Sequence, residues 1–324
     1  MRERISTKTS ALFFLICALC GAGAVPVFLR YLFKSPELGG LGLDIWVINA
    51  LRYAMAPLFW LPFVLAKGSH IIATGNTTAD AVVITDGNRI WRDALLPACF
   101  SIVNQAAWGG VGKYADANTI AFVSKLAFPV AILYCFIFFP EERLLARSRL
   151  FWVGVAGCFA GLALLSFERL AFSSLLGTSL MGLLLLLLIA VSWGGYSVSV
   201  RLKMPNYSAI SSFWVISVYT TIGLTLLMWA FGDVAIVTGL DMTTWGIVIA
   251  SSLVGITFWH VLYYKAIRGL GTIVADGVLM SSPAITIVGS AWILGEHMTV
   301  LQAIGGSIIA GGSILLVVVR GRCN

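Results

Sequence analysis

Lys125 makes the sharpest chemical demand in this sequence. It stands eight residues into an apolar run that starts near residue 117, which places it about 12 Å along a helix axis. A lysine at the centre of an apolar span costs about 2.5–3.5 kcal/mol on insertion scales, so it calls for a polar cavity, an acidic partner or an anionic ligand. Asp276 is a carboxylate five residues into a second apolar run, where it is either a polar helix entry or a counter-charge. The two sit about 10 Å apart in depth, which suits a bridging zwitterion or a water-filled path better than a direct pair. Asn104, Gln105 and His260 add uncharged polar groups within apolar segments. Their common use is hydrogen bonding between helices, with solute contact the alternative; His260 could also carry protons. Trp193 is a candidate aromatic wall or interfacial anchor, as are Trp108, Trp214 and Trp259. Arg52, six residues into its run, is shallow enough to snorkel to the cytoplasmic interface.

Two prolines lie beside these groups. Pro129 cannot donate to the carbonyl of residue 125, nor Pro283 to that of Leu279. Each frees a backbone acceptor about a turn earlier, as a hinge, a solute contact or a packing kink.

The elements that must position these residues are membrane spans. The chain has 324 residues, 59% hydrophobic and 11% charged, with mean hydropathy +0.95. A soluble domain carries about a quarter charged residues. The net charge of +7 is spread over short connections rather than one basic face, which argues against nucleic-acid binding. Cys17 and Cys20 form a CxxC within an apolar helix and read as packing residues. No phosphate-binding glycine loop, HExxH, GxSxG or cluster of metal ligands is present. The reading is therefore not an enzyme and needs no cofactor.

At about 20 residues per span, ten spans fit: 10–33, 46–66, 94–112, 117–139, 150–167, 178–200, 208–231, 244–266, 271–294 and 299–319. The stretch 67–92 is polar and reads as a surface loop, with a small hairpin the alternative and a turn at Asp86-Gly87-Asn88.

The chain repeats itself. Moving 154 residues along superposes Pro129 on Pro283, Ala121 on Ala275 and Glu142 on Glu296. An offset of 173 pairs Gly21 with Gly194 and Arg30 with Lys203; one of 151 pairs Gly154 with Gly305 and Gly161 with Gly312. The N-terminal segment has an internal counterpart, which favours a span of the fold over a signal peptide. Five spans per repeat, an odd number, invert the second copy relative to the first, the plan of many secondary transporters. The repeats are expected at 1–169 and 170–324.

Segments 49–62 (NALRYAMAPLFWLP), 117–144 and 271–299, with glycine-rich fifth and tenth spans, resemble the ten-span EamA-type members of the drug/metabolite transporter superfamily. The long 67–92 stretch departs from that pattern. The resemblance implies a cavity lined by spans one to four and six to nine, with spans five and ten at the periphery. It leaves the solute open among amino acids, other metabolites, sugar-phosphates and drugs.

The expectation is thus an all-α integral membrane protein of ten helices in two inverted five-helix repeats. It would be a secondary transporter of a bacterial-type cytoplasmic membrane, exporting a small polar metabolite such as an amino acid. The alternatives are an organic-anion or sugar-phosphate exchanger, and a sensor or scaffold on the same fold. Its partners would be the solute and the lipid bilayer, with room for a homodimer. Orientation follows from charge. With a cytoplasmic N-terminus, fifteen of the 21 Lys and Arg fall on inside segments and four outside, Arg52 and Lys125 being within spans. A cysteine introduced at 76–80 should therefore stay unlabelled by an impermeant reagent added to intact cells. Ready labelling there would reverse the orientation.

Overall fold

The computed structural model describes residues 2–33, 36–38, 40–66, 87–111, 113–114, 117–167, 178–294 and 298–322. Among them the regular structure is helical throughout. In chain order the helices are α1 (Arg2–Phe33), α2 (Ile45–Ala66), α3 (Gly87–Val111), α4 (Ala117–Val123), α5 (Ala127–Phe138), α6 (Arg143–Ala146), α7 (Arg149–Ser166), α8 (Leu180–Lys203), α9 (Ala209–Phe231), α10 (Met242–Ser252), α11 (Trp259–Leu270), α12 (Thr272–Leu279), α13 (Ser282–Leu294) and α14 (Val300–Arg322). Nine stretches among the described residues are long and apolar enough to cross a membrane, or ten if a bent segment counts as one span. The protein is an all-α, multi-pass membrane protein.

Each expected span coincides with helix, and the differences are physical. Residues 67–86 of the expected loop lie outside the described residues; from Gly87 onward the chain is already α3, which takes in Arg89–Trp91, the second strand of the hairpin alternative. Ile90, Ala94 and Ala98 recur every four residues and are all buried, so an apolar stripe continues through what reads as polar sequence. The fourth span is broken: α4 tightens into a 3-10 turn at Ser124–Leu126 before α5 begins. Beyond Phe138 the chain bends by 118° into Pro140–Ala146. The ninth span breaks at Met280 and Ser281, between α12 and α13. Each proline stands in the first turn of the restarted helix, where its missing N–H has no helical partner to lose.

Helix starts are set locally. Ser179, Ser208 and Asp241 accept the backbone N–H of Gly182, Ser211 and Thr244 at 3.2, 3.0 and 2.9 Å, each occupying one orphan donor. The bonds from Thr244 hold the Asp241 carboxyl below its usual value.

Burial is divided between an extensive core, built from α1, α2, α3, α8, α9, α11 and α12, and a smaller one around α5, α7 and α14. Helices α7 and α14 approach through bare glycines. A methyl on Gly161 would lie 2.6 Å from the Gly305 carbonyl oxygen, and one on Gly154 would lie 3.0 Å from that of Gly312. Small residues at such a crossing let backbones pack closely where lipid offers no hydrophobic drive. The exposed Leu180, Leu183, Leu184, Leu187 and Leu188 of α8 suit contact with acyl chains. Cys17 and Cys20 are free thiols, the first partly buried and the second exposed.

One end of the bundle is tied by charge. Glu142 has no solvent exposure and meets Arg201 Nη1 at 2.5 Å and Arg320 Nη1 at 3.3 Å. Arg201 also reaches Glu141 at 3.1 Å and lies 4.1 Å over the Phe139 ring. Gly271, at φ +85°, passes so close that a Cβ there would stand 2.5 Å from Glu142 Oε1. The repeat-related Glu296 lies outside the described residues. Replacing Glu142 by Gln leaves two arginines without their shared counter-charge. Breaking a buried ion pair typically costs about 3–5 kcal/mol, so Glu142→Gln should lower the detergent melting temperature clearly. An unchanged melting curve would mean that water, not Glu142, satisfies these arginines.

Candidate functional site

The two proline breaks face each other. Lys125 lies in the 3-10 turn between α4 and α5, and its Nζ donates to Ser282 Oγ at 2.9 Å. Ser282 is the first residue of α13 and precedes Pro283. The half-buried ammonium thus crosses from the interruption of the fourth span to that of the ninth. Its bond to a hydroxyl satisfies one donor and leaves its charge uncompensated by direct contact.

Asp276 is 4% exposed on α12. Ser197 of α8 donates to Oδ2 at 2.9 Å, and the Tyr263 hydroxyl of α11 donates to Oδ1. It is therefore an inward-facing acceptor where three helices meet, not a solvated helix entry. The ion pairs among the described residues involve Asp93, Glu141 and Glu142, so Lys125 and Asp276 make no direct pair. They remain within electrostatic reach of each other. Ser282 lies six residues beyond Asp276, across the break at Met280 and Ser281.

Asn104, Gln105, His260 and Trp193 come together with Tyr53, Ser101 and Tyr196 around one void, too tight here to admit a water molecule. Asn104 Nδ2 donates to the Ile189 carbonyl and to Ser192 Oγ, both at 3.0 Å. Gln105 Oε1 accepts from Asn49 Nδ2 at 3.0 Å. Trp193 stacks on Trp259 and on Tyr263, with centroids at 5.7 and 6.1 Å. His260 stacks on Phe213 at 5.1 Å. Trp108 is 36% exposed; Trp214 is partly buried and donates to the Pro57 carbonyl.

His260 owes its position to a π-helical stretch, Leu253–Phe258, between α10 and α11. Such single-turn insertions disturb the regular carbonyl pairing and recur at functional sites. Here three successive carbonyls each accept a side-chain N–H: Gly255 from Trp259 Nε1, Ile256 from His260 Nδ1 at 2.8 Å, and Thr257 from Trp60 Nε1 at 3.2 Å. A carbonyl only accepts, so His260 Nδ1 bears the proton and Nε2 is left as an acceptor.

Arg52 does not snorkel. It is 3% exposed; Nε donates to Ser251 Oγ at 2.9 Å and Nη2 to the Ser251 carbonyl at 3.4 Å. Ser252 Oγ returns a bond to the Arg52 carbonyl. As the eighth residue of α2 it lies about 10 Å from the helix start, where Ser251 and Ser252 of α10 meet it.

Tyr263, Ser197 and Ser282 were not singled out by sequence reasoning, although all three bond the two charged residues. A usable signal was present: Trp193 and Ser197, Trp259 and Tyr263, and His260 and Tyr264 are i,i+4 pairs that put a polar edge on one face of an otherwise apolar helix.

Residues 180–318 match the EamA-like transporter family. No curated protein sequence matches the chain significantly. A crystal structure of another protein aligns with TM-score 0.71 over 97% of this chain and 99% of its own, at 16% identity. At that identity the likeness speaks for the fold alone. Over residues 180–318 the chain is thus similar to the EamA-like transporter family, which falls within the drug/metabolite transporter superfamily.

Proposed function

We propose that this protein is a secondary transporter of a cytoplasmic membrane, exporting a small zwitterionic metabolite such as an amino acid. The observation that carries this reading is the pair Lys125 and Asp276. Both are engaged by hydroxyls, neither is neutralised by a direct partner, and they lie at different depths. A solute carboxylate has a donor at Lys125, and a solute ammonium an acceptor at Asp276. The stacked Trp193, Trp259 and Tyr263 give the solute's apolar part a wall. Hydroxyl partners are weak enough to be exchanged for a charged solute, because a charge-assisted bond is roughly twice as strong as a neutral one. An organic-anion or sugar-phosphate exchanger is the second reading, with Lys125 as the main counter-charge.

Alternating access between two inverted repeats, 1–169 and 170–324, completes the proposal, with both termini cytoplasmic. The glycine crossing of α7 and α14 supports it. Gly154 corresponds to Gly305 and Gly161 to Gly312 in the repeat alignment, while the contacts run from Gly154 to Gly312 and from Gly161 to Gly305. Such reciprocal contact is what a two-fold axis between the segments produces. A nucleotide site is not needed: solute or ion gradients drive transport of this kind.

The test is Lys125→Met in purified protein reconstituted in liposomes. Methionine keeps the length and removes the charge, so insertion should not suffer. Loss of one charge-assisted bond costs about 1.5–3 kcal/mol, or roughly ten- to over a hundredfold in solute affinity. Lys125→Arg, with altered donor geometry, should retain partial activity. A well-inserted Met variant that transports like the parent across the solute range would remove Lys125 from the site.

A further inference from the structure

Lys125 is not the only cation held in the hydrocarbon. Arg52 is as deep and far more enclosed, at 3% exposure, and among the described residues no carboxylate pairs with it. Of its five N–H donors, one on Nε and one on Nη2 are used, both by Ser251; Nη1 donates to nothing among the described residues. A buried guanidinium with donors in reserve is costly unless something anionic visits it. Serine alone would be an odd partner for a merely structural arginine.

The seats of the two cations lie at one level. α2 and the fourth span enter from the same face, and Arg52 and Lys125 are the eighth and ninth residues of their helical segments, about 10 and 12 Å from entry. They also flank one turn of α1. Gly23 packs against the Ser282 carbonyl and Ile285, beside the hydroxyl that holds Lys125; Val25 packs against Gly255, beside Arg52 Nη2. From Gly21 to Ala24 that turn of α1 carries no side chain larger than a methyl.

Charge completes the argument. Away from the charged ends of the bundle, the described interior holds two cations, Arg52 and Lys125, against one carboxylate, Asp276. A neutral zwitterion leaves one positive charge unmatched. A solute with one ammonium and two acidic groups balances all three.

We propose that Arg52 and Lys125 are two anion seats of one solute site, with Asp276 taking the ammonium, so that the transported solute is an amino acid bearing a second acidic group. This rests on the transporter reading above and names its solute class. The test uses parent, Arg52→Gln and Arg52→Lys proteins in liposomes, with labelled L-glutamate and L-alanine as probes. Glutamine can still donate to Ser251, and size-exclusion profiles and melting temperatures check that each variant is folded.

The parent should move glutamate faster than alanine, Arg52→Gln should lower the glutamate-to-alanine flux ratio at least tenfold, and Arg52→Lys should keep most of it. A structural role for Arg52 would lower both fluxes alike, and that result, or an unchanged ratio, overturns the proposal. A parent that moves alanine but not glutamate also overturns it while leaving the transporter reading intact. A parent that moves no labelled amino acid at all, in a preparation that binds none, sinks both.

Discussion

Inside a bilayer every polar group has to find its partner within the protein, and the interior of this molecule is arranged by that constraint. Two spans are interrupted at prolines and a third carries a π-helical turn; the ninth-span break and the π turn lie against α1. At the π turn the displaced carbonyls are met by two tryptophans and a histidine. At the proline breaks the polar traffic is carried by Lys125 and Ser282. Irregular backbone at membrane depth persists where it is buried in protein or lines a cavity, and here it coincides with the buried ionisable groups. The site is thus where the helices fail to be regular.

The interior around the candidate site is tightly filled. The void among Asn104, Gln105, His260 and Trp193 has no room for water, and the hydroxyls of Ser282, Ser197 and Tyr263 engage Lys125 and Asp276. One end of the bundle is fastened through Glu142, which joins the turn after α5 to the ends of α8 and α14. A solute with matching charge could compete with the hydroxyl contacts while leaving this fastening intact.

Span positions were legible in the sequence because hydropathy sums over about twenty residues. Pro129 and Pro283 were legible through the repeat that pairs them and the missing N–H they share, although Pro26, Pro57, Pro62 and Pro97 stand within continuous helices. Lys125 stood out for its cost. Arg52 was misjudged because linear depth says nothing about which neighbour a side chain meets; Ser251 lies 199 positions away. Ser197, Tyr263 and Ser282 were silent for a similar reason. A lone hydroxyl in an apolar span is ordinarily tied to its own helix, as Ser192, Ser199 and Thr220 are in part here, and only tertiary packing shows which one turns outward. The π turn was silent too: one of the side chains that meet its carbonyls, Trp60, comes from another helix 197 residues away.

The central claim is that these buried charges form a solute site reached from one side of the membrane at a time. Counterflow tests it most directly: liposomes holding purified protein are loaded with an excess of one unlabelled amino acid, and entry of the same labelled compound is followed without any ion gradient. The account predicts a transient accumulation of label above equilibrium, absent from protein-free liposomes and abolished when the internal amino acid is left out. Label that merely equilibrates, with no dependence on internal amino acid for any zwitterionic compound offered, would contradict it.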